Sequence, residues 1–348
     1  LFQLYGIQAL RAAAAFMVAV HHVQYDAIAL AARSGTGFSP SLLLPWMAGV
    51  DIFFVVSGFI MVHASADLFG RADGARLFLQ RRLARIVPLY WAATTLFLLV
   101  GLVLPGALNS GAPDLAQIAG SYLFWPTIST IGLVQPVYSL GWTLNYEMLF
   151  YALFTLGLLL PRAWTLPAIT LALVALVAAE RLAGPLAVPL RFWGQPIVLE
   201  FVAGMGIALL WRRGFRLGLA ARAAVAALGV ALLLVAAQMP GSDAPWAALA
   251  WRGSAAALLV LAAACGRRRE EPSMPVRWLA LVGDASYALY LVHPFVIRGL
   301  RELFQRLGLG SPPLFIIMAL AGAVVAALLV HRAFEKPATR FMRRKFGA

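Results

Sequence analysis

The sequence predicts an all-α polytopic membrane protein of about ten transmembrane helices, and three observations carry that expectation. Its residues are 62% hydrophobic and only 12% charged, about half the charged share of a soluble domain. Apolar runs near 20 residues recur along all 348 positions, each long enough to cross a hydrocarbon core of about 30 Å. The basic residues lie in short segments between those runs, a distribution that sets membrane orientation. The net charge of +14 therefore calls for no nucleic-acid partner. No polar stretch is long enough to build a soluble domain, so residues 1–348 are expected to form one membrane-embedded unit.

The spans read as about 8–30, 45–66, 86–104, 142–160, 163–181, 192–211, 219–238, 246–265, 280–302 and 312–335. The first is long, has no basic residue before Arg11 and keeps polar residues inside it, so it is expected to be a resident helix and not a cleavable signal peptide. Arg71, Arg76, Arg81, Arg82 and Arg85 fill the loop 67–85 before the third span. Arg212, Arg213, Arg216 and Arg222 follow the sixth; Arg267, Arg268, Arg269 and Arg277 follow the eighth; six Lys or Arg follow residue 331. The long loop 105–141 has no Lys or Arg. The positive-inside rule places the basic loops, the basic tail 336–348 and both termini in the cytoplasm, with 105–141 on the far side. Within that loop the segment at about 112–133 is apolar but broken by Pro126, Gly120 and Gly132. It reads as re-entrant or interfacial. The lone Cys265 excludes an internal disulfide and is given no role.

Polar residues inside the spans carry the chemistry, because each is costly in lipid. In "RAAAAFMVAVHH", residues 11–22, Arg11 and His22 share a helix face within roughly 20° and sit about 16 Å apart along the axis. His21 points about 100° away and reads as an ordinary helix-to-helix hydrogen bonder. Asp26, one turn beyond His22, reads either as an orienter of its ring or as a solvated helix end. Asp51 enters the second span; Ser57 and Gly58 read as packing residues there. Arg82 and Arg85 lie three apart on one face; they read as topology and lipid-headgroup contacts or as a phosphate clamp, since planar guanidinium groups suit phosphate oxygens. Glu147 lies about a turn and a half below Trp142, which reads as an interfacial anchor. Ser286, Tyr290 and His293 follow i, i+4, i+7 spacing on a single face, and Glu200 adds a mid-depth carboxylate. Glu335 and Lys336 are expected to form a structural ion pair.

Together these residues sort by depth. Arg11, Arg82 and Arg85 gather at the cytoplasmic side, and His22, Asp51, Glu147 and His293 gather beyond the midplane. A polyanionic ligand entering from the cytoplasm would meet arginines first and reach imidazole and carboxylate at its far end, the usual general-base pair. Acyl-CoA has that shape, with a phosphate-bearing head and a thin arm ending in a thioester.

The chain resembles the acyltransferase 3 family of integral-membrane acyltransferases, particularly its exopolysaccharide-acetyltransferase branch. The resemblance rests on "GIQALRAAAAFMVAVHH" with Arg-x10-His as Arg11 and His22, "GVDIFFVVSGFIM", the Arg-x-x-Arg of Arg82 and Arg85, "GWTLNYEMLFY", "SYALYLVHP" and "FEKP". It implies transfer of an acyl group, usually acetyl from acetyl-CoA, to a hydroxyl of a cell-envelope glycan or lipid-linked saccharide at the bacterial inner membrane. It also implies that His22 is essential and that the cytoplasmic arginines serve the donor. No appended hydrolase-like domain of the kind some members carry is expected.

On this reading His22 is general base or covalent acyl carrier, with Glu147 or Asp26 as orienter. Arg11, Arg82 and Arg85 bind acetyl-CoA. Asp51, Ser286, Tyr290 and His293 contact substrate, and no metal takes part. Two other classes compete: a proton-coupled secondary transporter of a glycan or metabolite, and a non-catalytic member of an envelope-assembly complex. Buried His, Asp and Glu also suit a proton relay, but the sequence has neither repeated halves nor paired broken helices.

Overall fold

The computed structural model describes residues 4–103, 112–266 and 273–347. Among them the regular structure is helical, and β-pairing is limited to isolated bridges, Ile128 with Val134 and Leu217 with Gly266. Six helices are long and apolar enough to cross a membrane, or seven when a bent pair is taken as one span. Their outward faces are apolar. Leu102, Leu182 and Leu219 are each about four-fifths exposed, a surface that suits lipid and not water. The protein is therefore an integral membrane protein.

Helix α1, Tyr5–Ser34, is closed by Gly35 in the left-handed conformation, the usual C-terminal stop. Its alanine run is an internal surface. Ala12, Ala14 and Ala15 are buried, and small side chains let neighbouring backbones approach closely. This places α1 at the centre, against α2 (Ala48–Ala64) and against the later helices α11 (Ser254–Ala264), α12 (Met274–Asp284), α13 (Ser286–Arg306) and α14 (Pro312–Val330). Helix α3, Gly74–Val103, begins well before the expected third span. The charged stretch carrying Arg76, Arg81, Arg82 and Arg85 is helical and not a loop.

A short helix, α4 (Leu115–Leu123), is capped by Asp114, whose Oδ1 accepts the Gln117 N–H at 2.7 Å. At about 14 Å it is too short to cross hydrocarbon. The loop after it is pinned by Ser121 Oγ, which accepts the Val137 N–H at 2.8 Å, and by Tyr138, whose OH donates to Leu291 O at 2.7 Å. Next come α5 (Trp142–Gly157), α6 (Arg162–Leu182), the short α7 (Val188–Trp193), α8 (Leu199–Arg212) and α9 (Leu219–Gln238).

Helices α2 and α8 touch through glycine. A Cβ on Gly58 would lie 2.1 Å from Phe201 O, and one on Gly204 would lie 2.0 Å from Val55 O. Phe201 then stacks on Phe150 of α5 at 4.2 Å and meets Phe54 edge-on at 4.9 Å. These contacts fix α2, α5 and α8 as one unit beside α1.

The eighth expected span opens with α10 (Pro245–Ala248), passes through one wide π turn, Leu249–Gly253, and continues as α11. The ninth is two helices, α12 and α13, meeting at 70°. The last runs from α14 through a second π turn, His331–Glu335, into the basic α15, Lys336–Phe346. There the expected pairing of Glu335 with Lys336 is corrected. Glu335 Oε2 lies 2.8 Å from His331 Nδ1, both groups are buried, and Lys336 is exposed. Neighbouring side chains one residue apart point to different sides of a helix, while four residues apart they meet.

Candidate active site

Helix α1 presents its two polar landmarks to two different cavities. The larger, about 760 Å³, is lined by Arg11, by Arg81, Arg82 and Arg85 of α3, and by Arg343 of α15. Its wall follows α2 from Val50 to Ala64, a depth of about 21 Å at 1.5 Å per residue. Arg11 Nη1 donates to Gln8 Oε1 at 2.8 Å, one turn back on the same helix. The Arg82 guanidinium lies 5.4 Å from the centre of the Phe78 ring, within cation–π range. These contacts hold each cation by one edge and leave donors for an anion.

Deeper in the same cavity sits Glu147. Its Oε1 accepts from Ser57 Oγ at 2.7 Å and from Tyr151 OH at 2.6 Å. Ser57 is thus a partner of the carboxylate and not a packing residue. Ser286 and Tyr290, expected on one face of α13, line this cavity as well.

The smaller cavity, about 280 Å³, is lined by His22 and Val18, by Gln135 and Ser139 of the loop before α5, and by Trp142 and Phe192. Trp142, expected as an interfacial anchor, lies on its rim. Tyr290 lines both cavities. Its hydroxyl donates to Leu140 O at 2.9 Å and lies 2.9 Å from Thr143 Oγ1. The phenol ring is therefore the partition between an arginine-lined space and a histidine-lined one.

His22 Nδ1 lies 2.9 Å from Val18 O and 3.2 Å from His293 Nε2. His293, expected to touch substrate, is fully buried and faces the other imidazole. His21 stacks edge-on against His22 and Tyr25 at 5.2 Å and 5.1 Å.

The proposed orienters of His22 have other partners. Asp26 Oδ1 is 2.7 Å from Arg301 Nη1, a pair that ties α1 to α13. Glu147 belongs to the arginine cavity. Asp51, also expected at the substrate, lines neither cavity. It is 2% exposed and 3.6 Å from Arg252 Nε, with the buried carboxyl of Glu200 close by. Arg252 in turn reaches Asp243 at 2.6 Å. This group joins α2, α8 and the π turn before α11.

Arg81, Arg343, Gln8, Ser57 and Tyr151 also line the larger cavity, and sequence reasoning did not place them there. For Arg81 the signal was present, since helical continuity through 76–85 aligns it with Arg85. For Arg343 the signal was the basic, amphipathic tail. Among the described residues, no group of three His, Cys, Asp or Glu side chains is placed to hold a metal ion.

A family model for an acyltransferase domain, Acyl_transf_3, matches residues 4–332 of this chain. The chain belongs to the acyltransferase 3 family. As an acyltransferase 3 protein it is 35% identical over 300 residues to the exopolysaccharide production protein ExoZ of Rhizobium meliloti (strain 1021), covering 84% of this chain and 89% of that one. It is 30% identical over 331 residues to the acyltransferase MdmB of Streptomyces mycarofaciens, covering 85% and 81% respectively. No solved structure matches. The acyltransferase 3 assignment makes the protein a membrane acyltransferase, and its two abutting cavities are the frame in which that chemistry has to fit.

Proposed function

We propose that this protein moves an acetyl group from cytoplasmic acetyl-CoA to a hydroxyl of an exported or cell-envelope glycan across the bacterial inner membrane. The observation that carries this reading is the pair of cavities meeting at Tyr290, one lined by five arginines and the other by His22. Arg11, Arg81, Arg82, Arg85 and Arg343 suit the phosphates of a CoA head, because guanidinium forks bind phosphate oxygens in two-point fashion. A thin thioester arm suits the 21 Å deep wall along α2. The smaller cavity suits a sugar, with Trp142 and Phe192 for its apolar face and Gln135 and Ser139 for its hydroxyls.

In the direct route the glycan hydroxyl oxygen attacks the thioester carbonyl, and its proton passes to the unbonded Nε2 of His22. The carbon–sulfur bond then breaks, and the CoA thiolate leaves and takes up a proton. In the covalent route the same nitrogen attacks the thioester and expels the CoA thiolate; the glycan hydroxyl then attacks the acetyl-imidazole, the carbon–nitrogen bond breaks, and the hydroxyl proton is left for the thiolate. The likeness to ExoZ, an exopolysaccharide production protein, favours a polysaccharide acceptor.

The topology proposed with this reading has ten crossings and both termini in the cytoplasm. The seven long spans are joined by α2, α5 and α8. These three are short because they pack on one another beside the cavities and meet little lipid. The segment 112–133, with α4 at its centre, lies at the far interface as a re-entrant or interfacial element. Arg85 and Arg343 share the larger cavity, in keeping with the basic stretch of α3 and the basic tail lying on one side.

The test uses full-length protein in liposomes supplied with acetyl-labelled acetyl-CoA and exopolysaccharide, with NMR of the recovered glycan. New O-acetyl signals on a sugar carbon are the expected result. Glycan uptake without acetylation would instead mark a transporter. A second measurement concerns the donor site. Hydrogen bonds to charged groups contribute about 1.5–3 kcal/mol, so Arg82→Gln and Arg85→Gln should each raise the KM for acetyl-CoA by about tenfold or more. Their kcat at saturation should change little. An unchanged KM in both variants would remove the arginine cavity from the donor's path.

A further inference from the structure

The contacts around the two facing imidazoles determine where their protons sit. His293 Nδ1 is 2.9 Å from Leu289 O, and His22 Nδ1 is 2.9 Å from Val18 O. A carbonyl oxygen only accepts, so each Nδ1 carries a hydrogen. Next to His293, Pro294 has no N–H for the Tyr290 carbonyl. That carbonyl is a further acceptor beside the same ring. A neutral imidazole protonated at Nδ1 has a bare Nε2. His293 Nε2 is therefore an acceptor, 3.2 Å from the His22 Nδ1–H.

We infer that His293 is the positioning residue of His22, accepting its Nδ1–H so that the His22 Nε2 lone pair is kept for the smaller cavity. The inference rests on the reading of His22 as base or acyl carrier, and it serves both routes, because each needs Nε2 unprotonated at the start. The device differs from a carboxylate orienter. Asp26, one turn away, is engaged by Arg301, and Glu147 by Ser57 and Tyr151. A neutral imidazole in the fully buried position of His293 accepts the N–H without placing a fixed charge in an apolar interior, where an ion is expensive. When Nε2 takes the hydroxyl proton, the His22 ring becomes a double donor, and its Nδ1–H keeps Val18 O and His293 Nε2 as acceptors. The whole arrangement is set by two helical i−4 carbonyls and one contact between α1 and α13, across 271 positions of sequence.

The experiment uses full-length protein carrying 15N-histidine in lipid bilayers. The chain has five histidines, so His22 and His293 can be assigned as the signals lost in His22→Gln and His293→Gln. Both rings should show a protonated Nδ1 and an unprotonated Nε2; a proton on Nε2 of either overturns the inference. In the transfer assay His293→Leu, which has no acceptor, should lower kcat by about 10²-fold, in the range of general-base contributions. The KM for acetyl-CoA should stay within about twofold. His293→Gln, whose amide oxygen can accept the same N–H, should restore most of kcat. Full turnover in His293→Leu, or a His293→Gln variant as slow as His293→Leu, also overturns it. If the wild-type protein transfers no acetyl group, the proposed function fails, while the nitrogen signals still decide the proton positions.

Discussion

Replacing His22 with alanine should lower acetyl transfer by about 10²–10⁴-fold, the contribution of a positioned general base. A sugar hydroxyl is a poor nucleophile until its proton is removed, and among the residues lining the smaller cavity His22 alone has a side chain suited to take it. The loss should fall on turnover and leave the proposed donor site intact, because Arg11, Arg82 and Arg85 line a different space. Insertion and accumulation should also persist. His22 is only partly buried, and its removal leaves lipid-facing surface and glycine contacts untouched. The measurement is glycan O-acetylation beside membrane protein level, with His21→Ala as the comparison. His21 stacks on the pair without reaching His293, so its loss should cost less than about tenfold. Normal acetylation in His22→Ala membranes would end the assignment.

The largest effect on stability is expected at Gly204. A valine there would set its Cβ 2.0 Å from Val55 O and 2.8 Å from Phe59 N. Both neighbours are backbone, so neither can rotate away, and α2 and α8 would have to separate. Overpacking of a tight interior typically costs about 1–3 kcal/mol, and a backbone collision belongs at or above the top of that range. The damage should reach the site, because Ser57, the donor to Glu147, precedes the Gly58 contact on α2. Gly206 supplies the internal comparison, with nothing within 4 Å of its Cβ position. Thermal unfolding in detergent should show Gly204→Val strongly destabilised and Gly206→Val near wild type. Equal behaviour of the two would mean that the α2–α8 contact does not limit stability.

Much of the helix layout was legible because lipid imposes a simple code. The apolar run 219–238 lies between an arginine-rich segment and Met239-Pro240-Gly241, and α9 has those same bounds. The start of α3 was not legible in that code. "ARLFLQRRLARI" reads as loop when charge alone is counted, yet its residues suit a helix whose basic face lines a polar cavity. The 70° break before Ser286 and the two π turns leave no mark in hydropathy.

The candidate site divides in the same way. The spacing between Arg11 and His22 holds because α1 is one unbroken helix, so an axial ruler applies. Partners drawn from distant helices were out of reach. Nothing local pairs His22 with His293, Ser57 with Glu147, Asp26 with Arg301 or Asp51 with Arg252. Such pairs depend on which helices adjoin, and helix adjacency follows from small-residue contacts that one sequence does not label.

Tyr290 has a consequence for the cell's energy supply. In the proposed function the two substrates come from opposite sides of the membrane, and the protein must still insulate it. Where the two cavities adjoin, the insulation is a single phenol ring, latched by its hydroxyl to Leu140 and set beside Thr143. On that proposal an acetyl group would have to pass this ring while protons and sodium ions do not. If the two cavities hold donor and acceptor as proposed, Tyr290 would also be a seal against the electrochemical gradient, and the pace of catalysis would be bounded by how briefly that seal can part.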